Sequence, residues 1–276
     1  MGPGHDSEGR GGTAAQRARQ AAARVPLRFR RGAALLPSLF TLGNLFMGFW
    51  SIVRSINGQF AEAAQFIGAA AVFDMLDGRI ARLTGTSSEF GAELDSLSDV
   101  ISFGLAPALL AYSWAFTGLP RPGALAAFLF LMCGTLRLAR FNVQRNVVDG
   151  RFFVGLPIPA AAWQVAAVVL LFEQPVLARR LAKSVLVGVV LLAFLMVSTF
   201  RYHSFKGVDL RSRRSYMSLL GVGLAFLLVA LHPEWVLLTA ITAFTLSAPL
   251  AYVVGALRRR LGGPPKVEAT PAPTGP

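Results

Sequence analysis

Cysteine is nearly missing from this 276-residue chain: Cys133 stands alone, so a disulfide scaffold is excluded. Charge is scarce as well, at 15% of residues where a soluble domain carries roughly 25%. With 54% of residues hydrophobic, there is too little polar surface to cover the apolar part in water. An ordinary soluble domain is therefore excluded, and so are a disordered chain and a collagen-like one. Acids are rarer still, 14 against 27 basic residues, which leaves a formal net charge of +13. What is abundant is apolar sequence in blocks of roughly 17 to 25 residues, the length a helix needs to cross a hydrocarbon layer about 30 Å thick. The expected fold is an all-α polytopic membrane protein.

Eight candidate spans can be laid out, at about 35–56, 60–82, 97–117, 123–142, 156–173, 181–199, 216–231 and 235–256. Breakers such as Asn57-Gly58, Gly155-Leu156-Pro157 and His232-Pro233 separate them. The shortest gaps, after Asn57 and at His232, allow helical hairpins. Ahead of the spans, Met1 to Gly12 reads as a disordered tail. From Thr13 a stretch of Ala and Arg follows, either a short basic helix on the membrane surface or a plain positive flank. The end, from Gly262, is rich in Pro and Gly and is expected to be disordered.

Orientation follows from the basic residues in short loops. With the N-terminus inside, 22 of the 27 Lys and Arg fall on the inner side, which places both termini in the cytoplasm. Arg179, Arg180 and Lys183 go against this pattern. Because the basic residues sit at span ends rather than along one soluble face, the expected partner is the lipid bilayer and not nucleic acid.

The few acids are more informative than the many bases. Six of the 14, namely Asp74, Asp77, Glu89, Glu93, Asp95 and Asp99, lie within 26 positions, two of them directly after the apolar run Phe66 to Phe73. Carboxylates at the end of a membrane helix are costly unless they face a polar cavity or a partner. Asp74 and Asp77 are spaced i and i+3, and Asp95 and Asp99 i and i+4, so each pair shares a helix face. The polar turn Thr84-Gly85-Thr86-Ser87-Ser88 makes the two helices antiparallel neighbours, and the four carboxylates converge at the inner boundary. Four such groups cannot stay ionised together without cations. An all-oxygen set without His or Cys suits Mg²⁺ or Mn²⁺ rather than zinc, and two such ions would clamp a phosphoryl group. Gly78 and Gly91 let backbone and ligand approach closely, and Arg82 is placed to hold a phosphate in a bidentate fork.

Asp74-Met-Leu-Asp77-Gly78-Arg-Ile-Ala81-Arg82, then eight residues, then Gly91-Ala-Glu-Leu-Asp95-Ser-Leu-Ser-Asp99, resembles the signature of the CDP-alcohol phosphotransferase family at every fixed position. The resemblance implies a membrane enzyme with a six-helix core, usually a homodimer, that moves a substituted phosphoryl group from a CDP-linked donor to an alcohol and releases CMP. It makes Asp74, Asp77 and Asp95 metal ligands, and Asp99 both a ligand and the general base. Gly78, Arg82 and Ser88 would contact the donor's cytidine diphosphate. The segments around Thr41 and Asn44 on the first span, Gly104 and Pro107, Leu136 to Asn142, Phe153 to Pro159, and Met196 to Lys206 resemble the membrane-embedded bacterial branch of that family that uses L-serine. That branch adds Thr41 and Asn44 to the donor contacts and places the enzyme in the bacterial inner membrane.

The organisation expected on this basis is a basic tail at 1–34, a family domain at 35–207, further membrane helices at 208–260 and a tail at 261–276. The donor would be CDP-diacylglycerol. Serine is a zwitterion, so its site needs a cation for the carboxylate. Arg140 is the first candidate, with Arg137 and Asn142 beside it at the same membrane level as the aspartates. Two other readings are weighed: the same chemistry with glycerol 3-phosphate or inositol as acceptor, and an ion or proton pathway of a transporter. A transporter would spread its acids through the bilayer depth, whereas these gather at one interface.

Overall fold

The computed structural model describes residues 27–84, 88–144, 152–203 and 233–261. The expected span at 216–231, the Ala and Arg stretch from Thr13 as far as Pro26, and both tails lie outside the described residues. Helix α1 runs Leu27–Ile56 and α2 Phe60–Thr84. A long rod follows, made of α3 (Glu89–Asp99), a π turn (Val100–Leu105) and α4 (Ala106–Ala115). Then come α5 (Pro120–Gln144), β1 (Phe152–Val154), α6 (Ile158–Leu171), α7 (Arg179–Val197), β2 (Arg201–His203) and α8 (Pro233–Leu261).

The expected helical architecture is present. Five stretches are long and apolar enough to cross a membrane: Ser38–Ile56, Glu89–Ala115, Pro120–Val143, Arg179–Val197 and Trp235–Gly255. Helix α6 is apolar but shorter, and α2 has the length but carries Glu62, Asp74, Asp77, Arg79 and Arg82. Large side chains such as Leu39, Phe46, Phe128, Leu191 and Val253 point outward from these helices, which is what a lipid-facing surface requires. The chain is a membrane protein. Helix α1 starts directly after Pro26 and runs without a break through the expected boundary at 34.

α1 and α2 form the hairpin that the Asn57-Gly58 pair suggested, with Gly58 at φ +75° making the turn. Ser51 Oγ donates to the Ala63 carbonyl at 2.8 Å, and Ala63, Ala64, Ile67 and Ala70 are buried along the seam. Such small residues let two helix backbones approach closely. The π turn also has a local cause. Pro107 has no N–H for the carbonyl four residues back and its ring crowds that position. The chain responds with a wider turn, in which the Ala106 N–H reaches the Ile101 carbonyl.

Among the described residues, a ribbon of two three-residue strands, not expected from the sequence, is the one departure from helix in regular structure. Phe152 pairs with His203, Phe153 with Tyr202 and Val154 with Arg201, antiparallel. Beyond the ribbon, the Gly155 N–H donates to the Phe200 carbonyl at 2.9 Å and the Leu156 N–H to the Leu195 carbonyl at 3.0 Å. Helix α8 is joined to this ribbon. Pro249 cannot donate to the Thr245 carbonyl, and the buried Tyr202 phenol does so instead at 3.0 Å.

Gly155 sits at φ +79°, and a Cβ there would lie 2.3 Å from the Met196 carbonyl oxygen, a backbone atom. Gly155→Ala should therefore lower the thermal midpoint in detergent, costing more than about 1 kcal/mol. Gly188, in the open on α7, has nothing within 4 Å of such a Cβ. Gly188→Ala should leave the midpoint unchanged or raise it slightly, by about 0.5–1 kcal/mol at most.

Candidate active site

Four carboxylates reach the site from two helices. Asp74 and Asp77 stand one turn apart on α2, and Asp95 and Asp99 one turn apart on α3. Asp74, Asp95 and Asp99 each offer a carboxylate oxygen, and the three oxygens lie within 4.8 Å of one another. Asp99 and Asp77 are buried, while Asp74 and Asp95 are half-buried. Asp77 stands beside this trio, and its Oδ2 accepts from Thr41 Oγ1 at 3.0 Å. The trio contains neither nitrogen nor sulfur, so as a donor set it fits a hard divalent cation that prefers oxygen. The described residues thus bring together an acidic cluster that could hold a metal ion.

Helix α1 supplies the support. Thr41 and Asn44 are spaced i and i+3, and both face the acids. Asn44 Nδ2 donates to Asp99 Oδ1 at 3.2 Å. Two serines flank Asp99 and bind the backbone of α1: Ser98 Oγ donates to the Thr41 carbonyl at 3.2 Å, and Ser102 Oγ to the Asn44 carbonyl at 3.0 Å. Close approach is possible because Gly48 faces Ser102, where a Cβ would come within 2.7 Å of the Ser102 Cα. Sequence reasoning missed Ser98 and Ser102. Their i, i+4 spacing around an aspartate was the signal available.

The remaining candidates fall around this centre. Gly78 is half-buried next to Asp77, and the Arg82 side chain lies outside the described residues. Ser88 is exposed and caps α3, its Oγ accepting from the Gly91 N–H at 3.0 Å. On α5, Arg137 is buried, with its guanidinium 5.8 Å from the centre of the Phe141 ring and near enough to Asp99 to feel its charge. Arg140 and Asn142 are half-buried. Asn142 Nδ2 donates to Ser96 Oγ at 2.8 Å, which ties the inner end of α5 to the aspartate helix.

Among the described residues, apolar helices and a cluster of carboxylates that could hold a metal ion define a helical membrane protein with a candidate site for metal-assisted chemistry. Residues 34–201 match the CDP-alcohol phosphatidyltransferase family, and the chain belongs to that family of enzymes. It is 43% identical over 193 residues to a CDP-diacylglycerol–serine O-phosphatidyltransferase of Helicobacter pylori, an alignment covering 70% of this chain and 81% of that one. The protein of the same name from Bacillus subtilis is 36% identical over 172 residues, covering 62% of this chain and 91% of the relative. An archaetidylserine synthase of Methanothermobacter thermautotrophicus is 46% identical over 129 residues, 46% of this chain and 54% of the relative. The family expectation drawn from the aspartate motif is borne out.

If the trio forms a cation site, Asp95→Asn should weaken Mn²⁺ binding to the detergent-purified protein by more than about tenfold. Electron paramagnetic resonance of free Mn²⁺ measures this directly. Unchanged affinity would remove Asp95 from the site.

Proposed function

We propose that the protein transfers the phosphatidyl group of CDP-diacylglycerol to the hydroxyl of L-serine and releases CMP. The observation that carries this reading is the set of relatives named for a serine product or acceptor, at 36–46% identity over 129 to 193 residues. The serine Oγ attacks the phosphorus that bears diacylglycerol, the bond from that phosphorus to the bridging oxygen breaks, and CMP departs with the electron pair. Asp99 takes the hydroxyl proton. Its buried place among the other acids, with Asn44 Nδ2 donating to its Oδ1, supports this role. Two divalent cations, Mg²⁺ or Mn²⁺, held by Asp74, Asp77, Asp95 and Asp99, would supply charge neutralisation at the phosphoryl oxygens.

The chain's own groups do the rest. Gly78, Arg82, Ser88 and Thr41 are assigned to the cytidine diphosphate part of the donor. Arg140 is assigned to the serine carboxylate, with Arg137 and Asn142 completing that pocket. The exposed apolar faces of the helices support lateral entry of the donor, its acyl chains remaining in lipid. We place the enzyme in the bacterial inner membrane as a homodimer, with both termini and the site on the cytoplasmic side, following the 22 of 27 basic residues on that face. The family domain is taken as 35–207, with 208–260 as additional membrane helices.

Incubation of the purified protein with CDP-diacylglycerol, Mn²⁺ and a panel of alcohols tests this reading. CMP should appear with serine and not with glycerol 3-phosphate or inositol; release with one of those alone would transfer the assignment to that acceptor. EDTA should stop the reaction and added Mn²⁺ or Mg²⁺ restore it. Asp99→Asn should lower turnover by about 10²- to 10⁴-fold, the range for loss of a general base.

A further inference from the structure

We infer that Asn44 is a positioning residue whose task is to hold the Asp99 carboxylate, and not a contact to the donor nucleotide. This rests on the role given to Asp99 above. Asn44 is fully buried within an apolar stretch of α1, where an amide is costly unless it is hydrogen-bonded. Its Nδ2 donates to Asp99 Oδ1 at 3.2 Å. Among the described residues, Asn44 Oδ1 has no hydrogen-bond partner, so at the side chain the amide serves Asp99 alone. The orientation of the amide is unambiguous, because only its N–H can face a carboxylate.

The backbone on either side makes the amide a fixed point. Ser98 and Ser102, which bracket Asp99, bind the carbonyls of Thr41 and of Asn44 itself. Gly48 brings the two chains close enough for this, since a Cβ there would lie 2.3 Å from Ser102 Oγ. Asp99 is the last residue of α3, and the wide π turn begins at Val100. In a wide turn the helical ladder alone does not dictate where the side chain at its edge lies. The amide of Asn44 provides that constraint from the neighbouring helix. Thr41 treats Asp77 in the same way from one turn earlier.

The test is a double-mutant cycle read by Mn²⁺ binding in the detergent-purified full chain. Asn44→Leu keeps the branching of the side chain and removes its polar end, at the cost of added bulk; Asn44→Ala is the second variant, which adds none. Either should weaken Mn²⁺ binding by about 10- to 100-fold, the range for a partner that orients a metal ligand. In the Asp99→Asn background the same change should alter Mn²⁺ affinity less than about twofold, because the effect runs through Asp99. An equal loss in both backgrounds would overturn the proposal. Kinetics give a second reading: kcat should fall with the KM for CDP-diacylglycerol unchanged, whereas a raised KM at full kcat would restore Asn44 to the nucleotide. The Mn²⁺ cycle is independent of which alcohol is the acceptor, so a failed serine assignment and a failed role for Asn44 remain distinguishable.

Discussion

Four carboxylates crowded at one point among apolar helices are the constraint on which this structure depends. Such a cluster cannot exist by packing alone, because like charges in a poorly hydrated place repel one another and lose their hydration. Three helices share the burden. α2 and α3 each contribute a pair on one face, and α1 contributes no acid but supplies hydrogen-bond donors and a glycine that lets it lie close. The small residues of the α1 and α2 seam and the hydroxyls of Ser98 and Ser102 are local answers to the same problem.

Much of this was legible in the sequence. The acids announce themselves because they are rare, and their spacing of three and four can only mean a shared helix face. The helical hairpin at Asn57-Gly58 and the overall helical membrane fold follow equally from breakers and apolar run lengths. The supporting residues were hidden for a physical reason. A serine or glycine in an apolar helix reads as generic small packing, and whether it meets a partner depends on the rotation of one helix against another. Here the π turn changes that rotation midway along the rod, which no fixed period of 3.6 residues anticipates.

Other differences have similar origins. Ser88 precedes α3 and its hydroxyl caps that helix, a local role that its nearness to the signature does not reveal. Arg137 and Arg140 look equivalent as inside-positive flanks, but the phase of α5 buries the first beside Asp99 and leaves the second half-buried. The ribbon between Phe152–Val154 and Arg201–His203 is too short for any alternating pattern to be visible, and its pairing links segments nearly fifty residues apart. Arg28, Arg30 and Arg31 looked like a separate surface segment because of their charge, though Arg and Leu are good helix formers and α1 continues through them.

The bond from Tyr202 to the Thr245 carbonyl bears on how the last helix meets the membrane. α8 lies beyond the segment that matches the family, and a free apolar helix of 29 residues would adjust its depth and tilt to whatever bilayer surrounds it. Fastened near its middle by this bond and by Gln164 Nε2 donating to Thr242 Oγ1 at 3.0 Å, it takes its vertical position from the catalytic domain instead. Changes in bilayer thickness then have to be absorbed at the two ends of α8, while its centre stays level with the rest of the protein.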